Sequence, residues 1–187
     1  MEIKKRNKFV ELMKGYGLYV VVGAIVFTFA LTFSIIASLG QTTQTGTMNL
    51  QFEMPMTDAY IVKDFSNTEL QNNETLNQWE AHLSVDLASE NSDVFSILEG
   101  TVASVEYDFL DGYCVTINHS NGFVSIYSSL NENVLVEAGQ KVSAGEKIGQ
   151  ASDSASGELE LGSHLHLTMK LNNNYVDPNN YLNLQEK

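Results

Sequence analysis

Hydrophobic and polar positions are laid out in two different ways along this chain. Leu18 to Leu39 reads LYVVVGAIVFTFALTFSIIASL, 22 residues interrupted only by Thr and Ser, and no charge occurs between Lys14 and Glu53. As a helix rising 1.5 Å per residue this run spans about 33 Å, enough for a hydrocarbon core of about 30 Å. A buried core helix would normally show a polar stripe, and this segment has none. A cleaved signal peptide has an apolar region of about 7–15 residues. The run is longer than that, although Ser38-Leu39-Gly40 loosely fits a small-x-small cleavage site. The pattern predicts one uncleaved transmembrane anchor over residues 18–39.

Beyond the anchor the period changes. Residues 40–53 (GQTTQTGTMNLQFE) are polar and aperiodic, which predicts a tether, and residues 66–78 (SNTELQNNETLNQ) predict a surface loop or a frayed helix. From residue 54 onward short alternating runs are punctuated by turn signals. AYIV (59–62), VFSIL (94–98), TVASVEY (101–107) and residues 165–171 all read as strands. Tyr113 to Asn118 and Phe123 to Tyr127, joined by Ser120-Asn121-Gly122, read as a hairpin whose Asn-Gly pair supplies positive φ angles. No long 3.6-residue period follows residue 40. The fold class is all-β (β-dominated), an antiparallel sheet domain over residues 54–187 preceded by a single transmembrane helix.

Charge divides the chain at the same place. The net charge of −13 hides five basic and two acidic side chains in residues 1–39 (net +3), against five basic and 21 acidic in residues 40–187 (net −16). The basic residues lie in the flank 1–17, so the positive-inside bias puts the N-terminus in the cytoplasm and residues 40–187 outside the cell membrane. An exported part this acidic excludes nucleic acid as a partner, because phosphate binding needs a basic surface. Cys114 is the only cysteine, which rules out an intrachain disulfide and a CxxC pair. In the alternating run YCVTI it reads as a small buried side chain rather than a nucleophile.

All four histidines, His82, His119, His164 and His166, follow the anchor. His164 and His166 are separated by two positions on a predicted strand, so they emerge on one face roughly 6.5–7 Å apart. His82 and Asp86 are four apart, which keeps them on one face of either an extended or a helical segment. A His/His/Asp set leaves zinc an open fourth position, the layout of a hydrolytic site. A further imidazole nearby would handle protons. Taken singly, HxH is more often a pair of surface histidines, and HxxxD is common by chance. His119, in VTINHSNG, precedes a turn and reads as structural or exposed.

The ordered segments HLSVD, YCVTINHSNGFVSIYSSL, VEAGQKVSAGEKIG, GSHLHLTM and NYVDPNNYL resemble the lysostaphin/LytM-type zinc endopeptidases, β-sheet enzymes that cleave peptide cross-bridges of peptidoglycan. The resemblance covers about residues 54–184. It implies zinc as cofactor, with His82, Asp86 and His166 as its ligands and His164 as a catalytic imidazole. One departure stands out. Active members carry a further catalytic histidine in Tyr-x-His-Leu, and this chain has Tyr127-Ser128-Ser129-Leu130, so Ser129 stands at the substituted catalytic position. A hydroxyl is no general base near neutral pH, and such a loss lowers rate by about 10²–10⁴. Ser84 also stands where the family usually has Gly.

A membrane-anchored LytM domain with Tyr-x-Ser-Leu is similar to the stage II sporulation protein Q family of endospore-forming Firmicutes. That resemblance implies a domain outside the forespore membrane, paired across the intermembrane space with a partner similar to stage III sporulation protein AH. The expected function is a sporulation and engulfment scaffold with a zinc site and a degenerate catalytic set. The alternative is an active zinc endopeptidase acting on peptidoglycan peptides, and a third reading is a zinc-free domain that kept only the fold. A flexible tether of this length reaches ~20–25 Å, short for a roaming wall hydrolase.

Overall fold

The computed structural model describes residues 15–17, 19, 22, 25, 27 and 50–186. The chain divides into two compact units, Met1–Met48 and Asn49–Lys187. In the first, the seven described residues have helical backbone. No helix among the described residues is long and apolar enough to cross a membrane. Most of the predicted anchor (18–39), the flank 1–14 and residues 40–49 of the tether lie outside the described residues.

The second unit is built of strands. In chain order they are β1 (Tyr60–Lys63), β2 (Ser66–Asn73), β3 (Gln78–His82), β4 (Val85–Ala88), β5 (Asp93–Phe95), β6 (Gly100–Asp108) and β7 (Gly112–His119). They continue as β8 (Phe123–Leu130), β9 (Lys141–Val142), β10 (Lys147–Gln150), β11 (Leu165–Leu171), β12 (Asn174–Val176) and β13 (Gln185–Glu186). Short 3₁₀ turns cover Ser120–Gly122, Ser156–Leu161 and Pro178–Asn180. The main sheet runs β13-β1-β4-β11-β8-β7-β6-β9, with β12 paired to β11, and its pairs are antiparallel except β1 with β13. Two ribbons, β2-β3 and β5-β10, stand apart from it.

Strand alternation sorts the two faces of the sheet. Val85 and Leu87 of β4, Tyr127 of β8, and Leu165, Leu167 and Met169 of β11 are fully buried in one core. Val94, Ile97 and Ile148 join them from the β5-β10 side. Each buried aliphatic side chain contributes about 1.5–3 kcal/mol relative to an exposed one. The Tyr127 hydroxyl, inside this core, accepts a hydrogen bond from the Ile97 amide at 2.8 Å. Asp86, Ser128, His166 and Thr168 occupy the intervening positions and project from the opposite face.

Two local readings differ from the sequence. Residues 66–78, expected as loop or frayed helix, form most of the β2-β3 hairpin. Its strands carry few apolar residues because the ribbon is largely exposed; cross-strand pairing and the positive φ of Asn77 (51°) define it instead of a buried stripe. The ordered fold also takes in the end of the predicted tether. Phe52 packs edge-on against Phe123 at 5.3 Å, and the Glu53 amide donates to the Ile97 carbonyl. The Asn-Gly hairpin has its expected turn, with φ of 58° at Asn121 and 79° at Gly122.

Candidate metal centre

Four residues on four adjacent strands form a row across the outer face of the sheet. Lys63 pairs with Asp86, Asp86 with His166, and His166 with Ser128. Asp86 Oδ1 lies 2.8 Å from His166 Nδ1. His82 reaches the same point from the end of β3, with Nε2 3.1 Å from Asp86 Oδ2. His82 and Asp86 therefore belong to consecutive strands joined by a tight Leu83-Ser84 link, rather than to one extended segment or one helical turn.

Backbone carbonyls set the imidazole tautomers. His82 Nδ1 donates to the Asp64 carbonyl at 2.8 Å, which turns Nε2 toward Asp86. His164 Nδ1 donates to the Gly162 carbonyl at 2.7 Å, which turns its Nε2 toward Glu158 Oε2. A backbone carbonyl accepting from the other ring nitrogen is what holds a metal-binding imidazole in the ligating tautomer. The Ser84 hydroxyl, at the position where the family usually has Gly, sits 3.1 Å from His82 Nε2.

A residue that the sequence reading missed completes the cluster. Glu158, in the 3₁₀ turn before β11, places Oε2 2.8 Å from His166 Nδ1 and 3.4 Å from His164 Nε2. Its Oε1 lies 3.7 Å from His82 Nε2 and 2.9 Å from Lys63 Nζ. One ligand atom each from His82, Asp86, Glu158 and His166 falls within a 4.8 Å cluster. No spacing rule marks Glu158, one of 23 acidic residues and 76 positions after His82 in the sequence.

These side chains are electrostatically coupled. Burial pushes the His166 imidazolium toward deprotonation, but Asp86 and then Glu158 outweigh it and push its pKa up to about 10. Burial would raise the Asp86 carboxyl, and contact with His166 and His82 brings it below its ordinary value instead. Glu158 is likewise opposed by burial and driven well below the usual carboxylate range by His164, His166 and Lys63. Burial lowers His164, yet Glu158 and Asp86 raise it overall.

Both Asp86 carboxylate oxygens and His164 Nε2 are buried and have close contacts of 2.8–3.4 Å to ionisable side chains but no well-directed hydrogen bond. Buried polar atoms left this way are costly unless a cation or water satisfies them. A tetrahedral zinc with bonds of about 2.0–2.1 Å holds its ligand atoms roughly 3.3 Å apart. Through one or other oxygen of each carboxylate the contacts run from 2.8 to 3.7 Å, and one ligand atom from each of the four residues lies within 4.8 Å of the others, so a bound zinc would draw the set inward. The donor set of two imidazoles and two carboxylates fits zinc.

The other predicted positions are placed as follows. His164 is 1 % exposed and stands beside Glu158. Ser129 is fully buried, with φ of 59°. Its hydroxyl donates to the Ser152 carbonyl at 2.8 Å and its amide donates to the Asp111 carbonyl. His119 contacts the Glu99 carbonyl and, at 2.6 Å, the Ser125 hydroxyl, a structural role outside the cluster. Cys114 is half-buried beside the Ser128 hydroxyl, and burial pushes its thiol up, away from nucleophilic thiolate. The centre opens on a groove of about 420 Å³ whose lining includes Leu76, His82, Leu110, Asp111, His166 and Tyr175.

The chain is similar to known proteins in sequence and in fold. The profile of peptidase family M23 fits residues 80–178. Stage II sporulation protein Q of Bacillus subtilis (strain 168) is 30 % identical over 142 residues, 69 % of this chain and 50 % of that protein. An uncharacterized protein, NMB1333 of Neisseria meningitidis serogroup B, is 34 % identical over 91 residues, 48 % of this chain and 14 % of its own length. The chain thus spans half or less of these curated relatives. Among solved structures, the SpoIIQ–SpoIIIAH pore-forming complex superposes with a TM-score of 0.63 at 28 % identity, covering 71 % of this chain and 91 % of that one. A zinc-containing peptidase from Vibrio cholerae gives 0.50 at 27 % identity, covering 63 % and 37 %. The profile spans more than half of the sequence and takes in the whole histidine and carboxylate row from His82 to His166, and the chain belongs to peptidase family M23.

Proposed function

We propose that this chain is a membrane-anchored scaffold of the LytM type, holding zinc through His82, Asp86 and His166 and carrying out little or no hydrolysis. In this reading residues 18–39 anchor it in the forespore membrane with the N-terminus in the cytoplasm. The extracytoplasmic domain binds a partner similar to stage III sporulation protein AH across the intermembrane space. The similarity to stage II sporulation protein Q and to the SpoIIQ–SpoIIIAH complex supports the partner.

The observation that carries the reading is the commitment of Ser129. Zinc, when bound, polarises a carbonyl and lowers the pKa of a bound water to about 7. Family chemistry then calls for two imidazoles to move protons and steady charge, and this chain offers only His164. The Ser129 hydroxyl is spent on the Ser152 carbonyl. That carbonyl also accepts the His164 amide at 3.0 Å, so the pair of bonds ties β8 to the strand carrying His164. Asp64 and Gly162 orient His82 and His164. The remaining groups bind and hold; they do not complete a proton relay.

The active endopeptidase remains the second reading, favoured by the groove beside the cluster and by the His164 imidazole next to it. Titrating the full-length chain in detergent with the extracytoplasmic domain of stage III sporulation protein AH from the same organism tests the scaffold. Saturable binding that is indifferent to His164→Ala is expected. Absence of binding together with cross-bridge cleavage would favour the enzyme.

A further inference from the structure

The segment from Asp153 to Gly162 crosses between two walls of the groove and is tied to both. On one side Asn73 Nδ2 donates to the Gly157 carbonyl at 3.0 Å, a buried bond, and the Glu160 amide donates to Thr75 Oγ1. On the other, the Gly157 amide donates to the Leu110 carbonyl at 3.0 Å, and the Ser154 hydroxyl donates to the Leu130 carbonyl at 2.7 Å. Gly157 is buried, and a Cβ there would come within 3.2 Å of the Leu110 carbonyl oxygen. Glycine at this point lets the strap lie flat against the β6-β7 turn.

Glu158 is the strap's inward side chain, only 11 % exposed. Lys63 holds its Oε1, and this turns Oε2 toward His166 Nδ1 and His164 Nε2. A buried carboxylate needs compensation by cations or donors; Lys63 supplies it at Oε1, and His166 Nδ1 donates to Oε2 at 2.8 Å. That nitrogen also converges with Asp86 Oδ1, so a cation taking the place of its proton would sit against both carboxylates. Three protein ligands leave zinc an open position, while four close it.

We propose that Glu158 is a fourth protein ligand that closes the zinc site, so that the strap 153–162 is latched onto the sheet through the metal. This rests on the zinc reading above and deepens it. The metal then serves as a staple between the β2-β3 hairpin, the sheet and the strap. The position a hydrolytic water would take is filled by the chain itself, independently of the substitution at Ser129. Loss of the latch frees that position and slackens the strap without removing His82, Asp86 or His166.

Cobalt(II) substituted into the full-length protein in detergent reports the coordination directly. The wild-type visible spectrum is expected to stay unchanged when azide, a small monodentate anion, is added. In Glu158→Gln the spectrum should shift on azide addition, and zinc affinity measured by chelator competition should fall by at least ~10-fold. A wild-type spectrum that shifts with azide as the variant's does would overturn the latch while leaving the three-ligand zinc site standing, with Glu158 paired to Lys63 alone. Failure of the wild type to bind one equivalent of cobalt(II) or zinc would overturn the zinc reading itself. The wild-type azide titration decides the question even if the variant folds poorly.

Discussion

Asp86 and His166 are register partners on adjacent antiparallel strands, with 2.8 Å between Oδ1 and Nδ1. Neither residue has a neighbour in sequence that explains the contact; sheet pairing creates it. The flanking residues Val85, Leu87, Leu165 and Leu167 are fully buried, so both strands are locked in register by their core faces. A slip of one residue would turn the whole row inward. The rigid hydrophobic face therefore positions the polar one.

Metal binding should draw on this row. Zinc at 100 times its Kd stabilises a folded chain by about 2.7 kcal/mol. The wild-type protein should melt several degrees higher with zinc than with chelator. Asp86→Asn and His166→Ala should abolish that difference, as thermal denaturation monitored by circular dichroism will show.

The metal-free protein should lose stability in alkali. The His166 pKa is pushed from about 6.5 in the unfolded chain up to about 10 in the folded one. Its stabilising contribution is fully present below about pH 6.5 and is lost as pH rises through about 10. Asp86 and Glu158 are depressed, so their contribution holds above the ordinary carboxylate range and fades as pH falls below it. Urea midpoints in chelator should form a plateau near pH 5–6.5 and decline steadily toward pH 10. A flat profile between pH 7 and 10 would show that the His166 contacts contribute nothing.

Much of this site was legible in the sequence because strands have a period of two. His166 falls on the outer face of β11 for that reason, while His164 stands one residue before that strand in a bridge to Ser152, and the Asn121-Gly122 turn marks the β7-β8 hairpin. Glu158 was not legible, because its role comes from a strap whose path is fixed by bonds to Asn73, Thr75 and Leu110, all distant in sequence. The β2-β3 hairpin was missed for a related reason. Exposed strands bury no stripe, so SNTELQNN reads as loop until its partner is known. His82 and Asp86 lie 3.1 Å apart, but the break between β3 and β4 at Leu83-Ser84 leaves no trace in the HxxxD spacing.

Ser129 should behave as a structural residue. Ser129→Ala removes one donor from a Ser152 carbonyl that keeps the His164 amide, so a loss of about 0.5–1.5 kcal/mol is expected. Ser129→His forces a ring into a fully buried position and should destabilise by about 1–3 kcal/mol. Chemical denaturation of both variants checks the order; equal stability of wild type and Ser129→His would contradict it.

Gly112 supports the approach of the strap to the β6-β7 turn. Its φ is 74°, and an added Cβ would clash with the Ser154 side chain and lie 2.9 Å from the Ser154 backbone carbon. Gly112→Ala should therefore lower stability by more than the ~1 kcal/mol typical of a positive φ alone. It should also speed proteolytic cleavage within residues 153–162. Unchanged cleavage kinetics would separate the strap from this turn.

Whether this M23 domain holds zinc without hydrolysing is decided by digestion of purified peptidoglycan with the zinc-loaded protein, newly released amino groups being counted against time. A scaffold should give no release above that of a His82→Ala, Asp86→Asn control. Steady release that disappears in the control and on chelation would contradict it.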